Sequence, residues 1–186
     1  MFEKRTLVGS SVIPIRFVFF MWLFFVGEYV YSLEFLAIPL IPRTWGGLLG
    51  IITTPFVHAD PAHLVSNTIP FLFLGITILY NYPVIAKRVF LASYLFTNVL
   101  VWLLGRGEAH IGASGMIYAM VTFAVLFGLL RRDTKALIIS TIVLLFYGSI
   151  FYGVLPSNSL VSWESHLSGT VVGATLAIYF FKTHRS

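Results

Sequence analysis

The segment Gly112-Ala113-Ser114-Gly115 opens an apolar stretch that continues to Leu130. Two other apolar stretches also open with polar residues: His63 and Asn67 begin one, and His166 begins the other. Polar and ionisable side chains inside a hydrophobic span are costly, and they usually mark a functional site. We therefore expect these three stretches to be neighbouring membrane helices that share one polar site.

The composition supports a membrane protein. Hydrophobic residues make up 58% of the chain and charged residues 10%, whereas about a quarter of a soluble domain is charged. The mean hydropathy is +0.91. Because a membrane helix needs about 20 residues, the 186 residues are enough for six spans in a single membrane domain, residues 1–186. The chain has no cysteine, which excludes disulfides, thiolate metal sites and a cysteine nucleophile.

The apolar stretches predict an all-α membrane protein, a bundle of six transmembrane helices. The predicted spans are residues 12–31, 61–80, 84–104, 112–130, 136–155 and 163–181. We expect the connection from Ser32 to Ala59 to lie at the membrane surface, with the aromatic ring of Trp45 at the interface. The first stretch could instead be a signal peptide, but no small-x-small cleavage site follows it, which favours a retained helix.

The basic residues predict the orientation of the chain. With the amino terminus in the cytoplasm, ten of the twelve Lys and Arg residues fall on the inner side, and only Arg43 and Arg106 fall outside. This bias places both termini in the cytoplasm of a multi-pass protein of the cell membrane. The polar residues then lie near the extracytoplasmic surface. Because the basic residues are dispersed at helix ends, they form no phosphate-binding stripe, and we expect no nucleic-acid partner.

Helical spacing brings the polar residues of each span onto one face. Residues three, four or seven apart share a face, which groups His63 with Asn67, Ser114 with Tyr118, and His166 with Gly169 and Gly173. The Gly-x-x-x-Gly spacing lets two membrane helices approach closely, so the sixth span can bring His166 to Ser114. Each feature alone fits ordinary helix packing, capping or a hydrated vestibule. It is their occurrence together at one depth that favours a functional site.

Serine and histidine in contact are suited to acyl transfer. Histidine changes charge near neutral pH and can take the proton of a serine hydroxyl, which is otherwise a weak nucleophile. We expect residues 105–110 to form a wet entrance, and Gly112, Ala113 and Gly115 to line the space beside the nucleophile. The sequence has neither a His-Glu-x-x-His motif nor paired aspartates within the spans. We therefore expect no metal and no cofactor.

With these motifs the chain resembles the rhomboid family of intramembrane serine proteases, in its prokaryotic form with a six-helix core. The matching elements, in order, are His63-x-x-x-Asn67, Gly112-x-Ser114-Gly115 with Tyr118, and His166-x-x-Gly169-x-x-x-Gly173. His58 and the long first loop also fit. One departure is the first loop, which lacks the Trp-Arg pair that some members carry. Arg43-Thr44-Trp45 has these residue types in another order, which leaves the anchoring of that loop open.

The resemblance implies a function and a role for each residue. Ser114 is the implied nucleophile and His166 the general base, in a dyad without an acidic third member. His63 and Asn67 are implied to stabilise the oxyanion, and Tyr118 to support the histidine by packing. Gly112, Gly115, Gly169 and Gly173 have supporting roles. The implied substrates are single-span transmembrane proteins, cut within the lipid bilayer near its extracytoplasmic face.

Two other classes of function remain open from the sequence. A rhomboid-like protein without activity could bind membrane clients, although such relatives lack the dyad that this chain retains. A small transporter could use the polar cluster as a substrate site. This alternative predicts internal repeats and polar groups near the bilayer midplane, whereas the sequence has no repeat and its polar cluster lies toward one face of the membrane.

Overall fold

The computed structural model describes residues 6–36, 38–156 and 162–183, and these residues are predominantly helical. The α-helices are α1 (Leu7–Tyr29), α2 (Trp45–Thr53), α3 (Pro61–Asn81), α4 (Pro83–Leu104), α5 (Ser114–Arg131), α6 (Thr134–Tyr147) and α7 (Trp163–Thr183). Short 3₁₀ segments span Glu34–Leu36, Thr54–Phe56 and Gly148–Val154. The prediction of an all-helical fold is confirmed.

Four of the described helices are long and apolar enough to cross a membrane: α1, α3, α4 and α5. Helix α6 has 14 residues, and α7 has 21 residues with Glu164 in its first turn. The chain is therefore a multi-pass membrane protein, while the count of six crossings and the single domain stay predictions.

Two predicted spans differ from the helices of the structure by more than two residues at one end. The first helix begins at Leu7, five residues before the predicted start, because Thr6 caps it with its side chain. The predicted fifth span, 136–155, is an α-helix only to Tyr147 and continues as 3₁₀ helix over Gly148–Val154. A 3₁₀ helix rises about 2 Å per residue and an α-helix about 1.5 Å, so the combined stretch is still about 35 Å long.

The first loop is fastened to the end of α4. The backbone N–H of Arg43 donates to the carbonyl of Trp102, and its guanidinium donates to the carbonyls of Leu103 and Gly105. The indole of Trp102 donates in return to the carbonyl of Thr44 at 3.0 Å. The loop is therefore anchored by an arginine in the loop and a tryptophan on α4, which answers the question left open by the order Arg43-Thr44-Trp45.

Helix α5 lies in the centre of the bundle, with twelve of its 18 residues buried. Helix α7 packs directly on it through glycines. A Cβ atom added to Gly169 would overlap the carbonyl oxygen of Gly115, and one added to Gly173 would overlap that of Ala119. The two backbones therefore touch, and this contact brings the amino-terminal ends of α5 and α7 together.

Candidate active site

Ser114 is the first residue of α5, and the turn before it depends on glycine. Gly112 has a φ of +96°, a conformation that residues with a Cβ rarely adopt. His166 lies one turn into α7. Its Nε2 atom is 3.0 Å from the Ser114 Oγ atom, within hydrogen-bond distance. Two residues 52 positions apart in the chain thus form a serine–histidine pair.

The other ring nitrogen of His166 fixes the tautomer. Nδ1 lies 3.0 Å from the carbonyl oxygen of Gly153. Because a carbonyl can only accept, Nδ1 carries the proton, and the lone pair of Nε2 faces the Ser114 hydroxyl. Gly153 therefore takes the orienting position that an aspartate holds in a catalytic triad. The sequence analysis missed this role, since a backbone carbonyl has no sequence motif; the only signal was a glycine near the end of the fifth apolar stretch.

Tyr118 holds the plane of the histidine ring. It lies one turn after Ser114 on α5, and its ring stacks on His166 with 4.0 Å between centroids and an angle of 7°. Its own side chain is buried. A Cβ atom on Gly153 would overlap the Tyr118 hydroxyl and lie 3.1 Å from the His166 Nδ1 atom, so the three residues pack with no spare volume.

His63 and Asn67 border the turn before the serine. A Cβ atom on Gly112 would be 2.7 Å from the His63 Nε2 atom and 3.8 Å from the Asn67 Nδ2 atom. The amide of Asn67 donates one hydrogen to the His63 carbonyl at 2.9 Å, and an amide group has a second hydrogen to give. Asp60 caps α3 by accepting the His63 N–H, which fixes the first turn that carries both residues.

These side chains line one cavity of about 520 Å³ at this end of the bundle. Its walls include the five residues described above, Ser114, His166, His63, Asn67 and Tyr118. The other lining residues are Ala59, Asp60, Ser66, Pro70, Ala109, Ile111, Ile117 and Ser162. Three helix amino termini, those of α3, α5 and α7, open toward it, and their partial positive charges favour negative charge there. Among the described residues, no group of three or more His, Asp or Glu side chains could hold a metal ion.

The family model of the Rhomboid domain matches residues 45–183. The chain belongs to the rhomboid family. Uncharacterized proteins of Mycobacterium bovis and Mycobacterium tuberculosis are each 34% identical to it over 153 residues, covering 73% of this chain and 60% of theirs. An uncharacterized protein of Mycobacterium leprae is 36% identical over 148 residues, covering 70% of this chain and 55% of its own. This rhomboid chain thus spans less than two thirds of the length of these relatives.

Two expectations about the lining of this rhomboid site were wrong. Gly115 faces away from the cavity, since a Cβ there would meet Thr97 on α4 and the backbone of Ser165 on α7. Ala113 is buried and does not line the cavity either. Both small residues serve helix packing. Helical periodicity explains why, because a residue adjacent to the nucleophile points to another face of the helix.

The prediction that residues 105–110 form a wet entrance to the site was wrong for His110. Its ring is buried, with Nε2 3.1 Å from the Arg106 carbonyl and Nδ1 beside the Ser162 hydroxyl. Arg106 forms an ion pair of 2.9 Å with the buried Glu164 on α7. This loop therefore ties the residues before the nucleophile to the start of the helix that carries His166, and only Ala109 and Ile111 beside His110 reach the cavity.

His58 lies behind His63 in the rhomboid site. The two imidazole rings are 5.0 Å apart in an edge-to-face arrangement, and His58 is buried. Burial first, and the proximity of His63 second, lower the pKa of His58 to about 4. The ring is therefore neutral at physiological pH, and its part in the site is to support His63 by packing.

Proposed function

We propose that this rhomboid chain is an intramembrane serine endopeptidase that uses Ser114 as nucleophile and His166 as general base. The observation that carries the proposal is the His166 ring, with Nδ1–H on the Gly153 carbonyl and Nε2 at 3.0 Å from the Ser114 Oγ atom. The hydroxyl proton moves to Nε2 as Oγ attacks the scissile carbonyl, and the same proton then passes to the leaving amine. Water hydrolyses the acyl-enzyme with His166 again as base.

The negative charge of the tetrahedral intermediate has three proposed donors: the His63 ring, the Asn67 amide and the backbone N–H of Ser114. As the first residue of α5, Ser114 has an N–H without a partner inside its own helix. The nearness of His63 and Asn67 to Gly112, two residues before Ser114, supports this assignment. Each preorganised donor contributes about 3 kcal/mol to the stability of such an oxyanion.

The proposed substrates are single-span membrane proteins, cut near the extracytoplasmic face. The topology proposed here has six crossings, cytoplasmic termini and a place in the cell membrane, and the distribution of Lys and Arg supports it. A regular helix shields its peptide bonds by backbone hydrogen bonds and side chains. We therefore propose that substrates carry Gly, Pro or other weak helix formers near the extracytoplasmic end of their span, where they unwind easily.

The test is cleavage of a panel of single-span proteins by the purified chain, with the products mapped by mass spectrometry. Ser114→Ala and His166→Ala should each abolish cleavage, and the double variant should lose no more, because the two residues act as one unit. Ser66→Ala is the matched control, since Ser66 lines the same cavity but its hydroxyl donates to the His63 carbonyl. Activity that survives Ser114→Ala would contradict the assignment.

A rhomboid-like binder without activity is the alternative, because the chain's relatives are uncharacterized. A serine-reactive fluorophosphonate distinguishes the two functions without knowledge of the substrate. We expect it to label Ser114 in the unaltered chain and in Ser66→Ala, and to label neither Ser114→Ala nor His166→Ala. Absence of labelling in the folded, unaltered chain would favour the binder.

The proposed oxyanion donors have their own kinetic test. His63→Ala and Asn67→Ala should each lower kcat by about 100-fold with little change in KM, because a donor to the oxyanion acts in the transition state more than in the bound substrate. An increase in KM alone would instead assign the residue to substrate docking.

A further inference from the structure

A second cavity, of about 470 Å³, lies at the opposite end of the bundle. It is formed where α3 passes into α4, where α5 ends and where α6 begins. Ser114 starts α5 and Arg131 ends it, so the two cavities are about 26 Å apart along this helix. No side chain of the proposed active site takes part in the second cavity.

Tyr82 lines this cavity and has a buried hydroxyl group. Its ring packs edge-on against Phe123 and Phe127, and the residue is 8% exposed. Its hydroxyl has no hydrogen-bond partner within the part of the chain that the structure describes, and an unsatisfied buried hydroxyl is costly. Burial, and after it the carboxylate of Asp133, raise the pKa of Tyr82 to about 12. The group is therefore a hydrogen-bond donor at neutral pH.

The charged residues that line the cavity are Arg131, Lys135 and Asp133. The carboxylate of Asp133 is already engaged, since it caps α6 through the Ala136 N–H and accepts from the Arg131 Nε–H at 2.7 Å. The Lys135 ammonium lies 5.9 Å from the centre of the Tyr80 ring.

The net charge of this cavity comes from its side chains. Two helices begin at the cavity and two end there, so the helix dipoles offset each other. The side chains leave one net positive charge, which suits an anion.

An apolar groove begins beside this cavity on the outer face of α6. It is lined by Thr134, Leu137, Ile138, Thr141 and Ile142, and it therefore runs about 12 Å along the helix. On the other side of the cavity, Val84 is 67% exposed. A cavity with charged residues at the helix ends that adjoins an apolar groove along a membrane-facing helix matches the two parts of a phospholipid, whereas a free phosphate ion would leave the groove unused.

We propose that this cavity binds the phosphate of an anionic phospholipid in the leaflet opposite the Ser114 site, with Tyr82 and Lys135 as donors and an acyl chain in the groove along α6. The site joins α3, α4, α5 and α6 at one point, so the bound lipid stabilises the folded bundle. The proposal does not depend on the proposed protease activity.

The test uses the full chain in phosphatidylcholine nanodiscs with increasing fractions of phosphatidylglycerol. Thermal unfolding gives the stabilisation, and native mass spectrometry gives the number of retained phosphatidylglycerol molecules. We expect one retained molecule per chain and a higher Tm.

Lys135→Gln and Tyr82→Phe should each weaken retention about tenfold, the effect of one lost charge-assisted hydrogen bond. Lys87→Gln is the control, because it removes the same charge from α4 outside the cavity.

One variant separates the site from general effects of charge. In pure phosphatidylcholine, Tyr82→Phe should be at least as stable as the unaltered chain, because it deletes an unsatisfied hydroxyl, and it should lose the Tm increase from phosphatidylglycerol. Equal losses in Lys135→Gln and Lys87→Gln would overturn the site in favour of diffuse attraction. The same Tm increase from inorganic phosphate would overturn the lipid as ligand, and unchanged retention in Tyr82→Phe would overturn the role of the hydroxyl.

Discussion

Two helix interfaces of this rhomboid are built on opposite principles. Helices α5 and α7 meet through glycine, so that backbone touches backbone at Gly115 and Gly169. Helices α1 and α3 meet through large rings, with Phe17 stacked on Phe71 at 4.5 Å and set edge-on to Phe90 and Tyr94. A side chain can relieve a clash by changing its rotamer, whereas a clash between two backbones is relieved only by moving a whole helix. The first interface is therefore rigid and intolerant of change, and it is the one that carries Ser114 and His166.

The largest effect should come from the glycine interface. Gly169→Val adds a branched side chain whose Cβ atom would overlap the Gly115 carbonyl, which separates α7 from α5 and moves His166 away from Ser114. We expect cleavage to be abolished and the free energy of unfolding to fall by about 3 kcal/mol or more. The measurements are cleavage and thermal unfolding in detergent.

The control for this variant is Gly107→Ala, because a Cβ atom on Gly107 meets nothing within 4 Å. It should keep both activity and Tm. If Gly169→Val were active and stable, the two backbones would not meet there in the membrane, and the contrast between the two interfaces would fail.

The comparison also explains what the sequence could predict. The glycine interface and the polar residues were readable because both follow helical spacing: His63 to Asn67, Ser114 to Tyr118, and Gly169 to Gly173. The membrane character follows from composition, and the all-helical class follows from the length of the apolar stretches. What spacing could not predict was any role played by backbone or by a loop. The Gly153 carbonyl on His166 and the anchoring of the first loop on Trp102 both join segments that are distant in sequence.

The phenylalanine interface should show a smaller effect, confined to stability. Phe17→Leu removes a stacked ring, and neighbouring rings can partly fill the space. We expect the free energy of unfolding to fall by about 1.5 kcal/mol, with cleavage within about twofold of the unaltered chain, because no residue of the cavity moves. Phe19→Leu on the exposed face of α1 is the control and should change neither. A tenfold loss of cleavage in Phe17→Leu would show that this interface also positions the active site.

The smallest effect concerns His58, whose Nδ1 atom lies 3.4 Å from the carbonyl oxygen of Phe56 in the ring cluster and whose ring lies beside His63 of the site. Its folded-state pKa of about 4 is below the usual value of about 6.5, so between these values the unfolded chain binds a proton that the folded chain does not. The contribution of His58 to stability is therefore complete above pH 6.5 and is lost as the pH falls toward 4. From pH 7 to pH 5.5 the loss amounts to roughly 1 kcal/mol.

Other groups titrate in the same range, so the measurement is the difference in pH dependence of unfolding between the unaltered chain and His58→Gln, which cannot take up the proton. The curve of the variant should be flatter by that amount, whatever its stability at pH 7. Parallel curves would mean that His58 has the same pKa in the folded and the unfolded chain, and that its surroundings are hydrated instead of closed by packing.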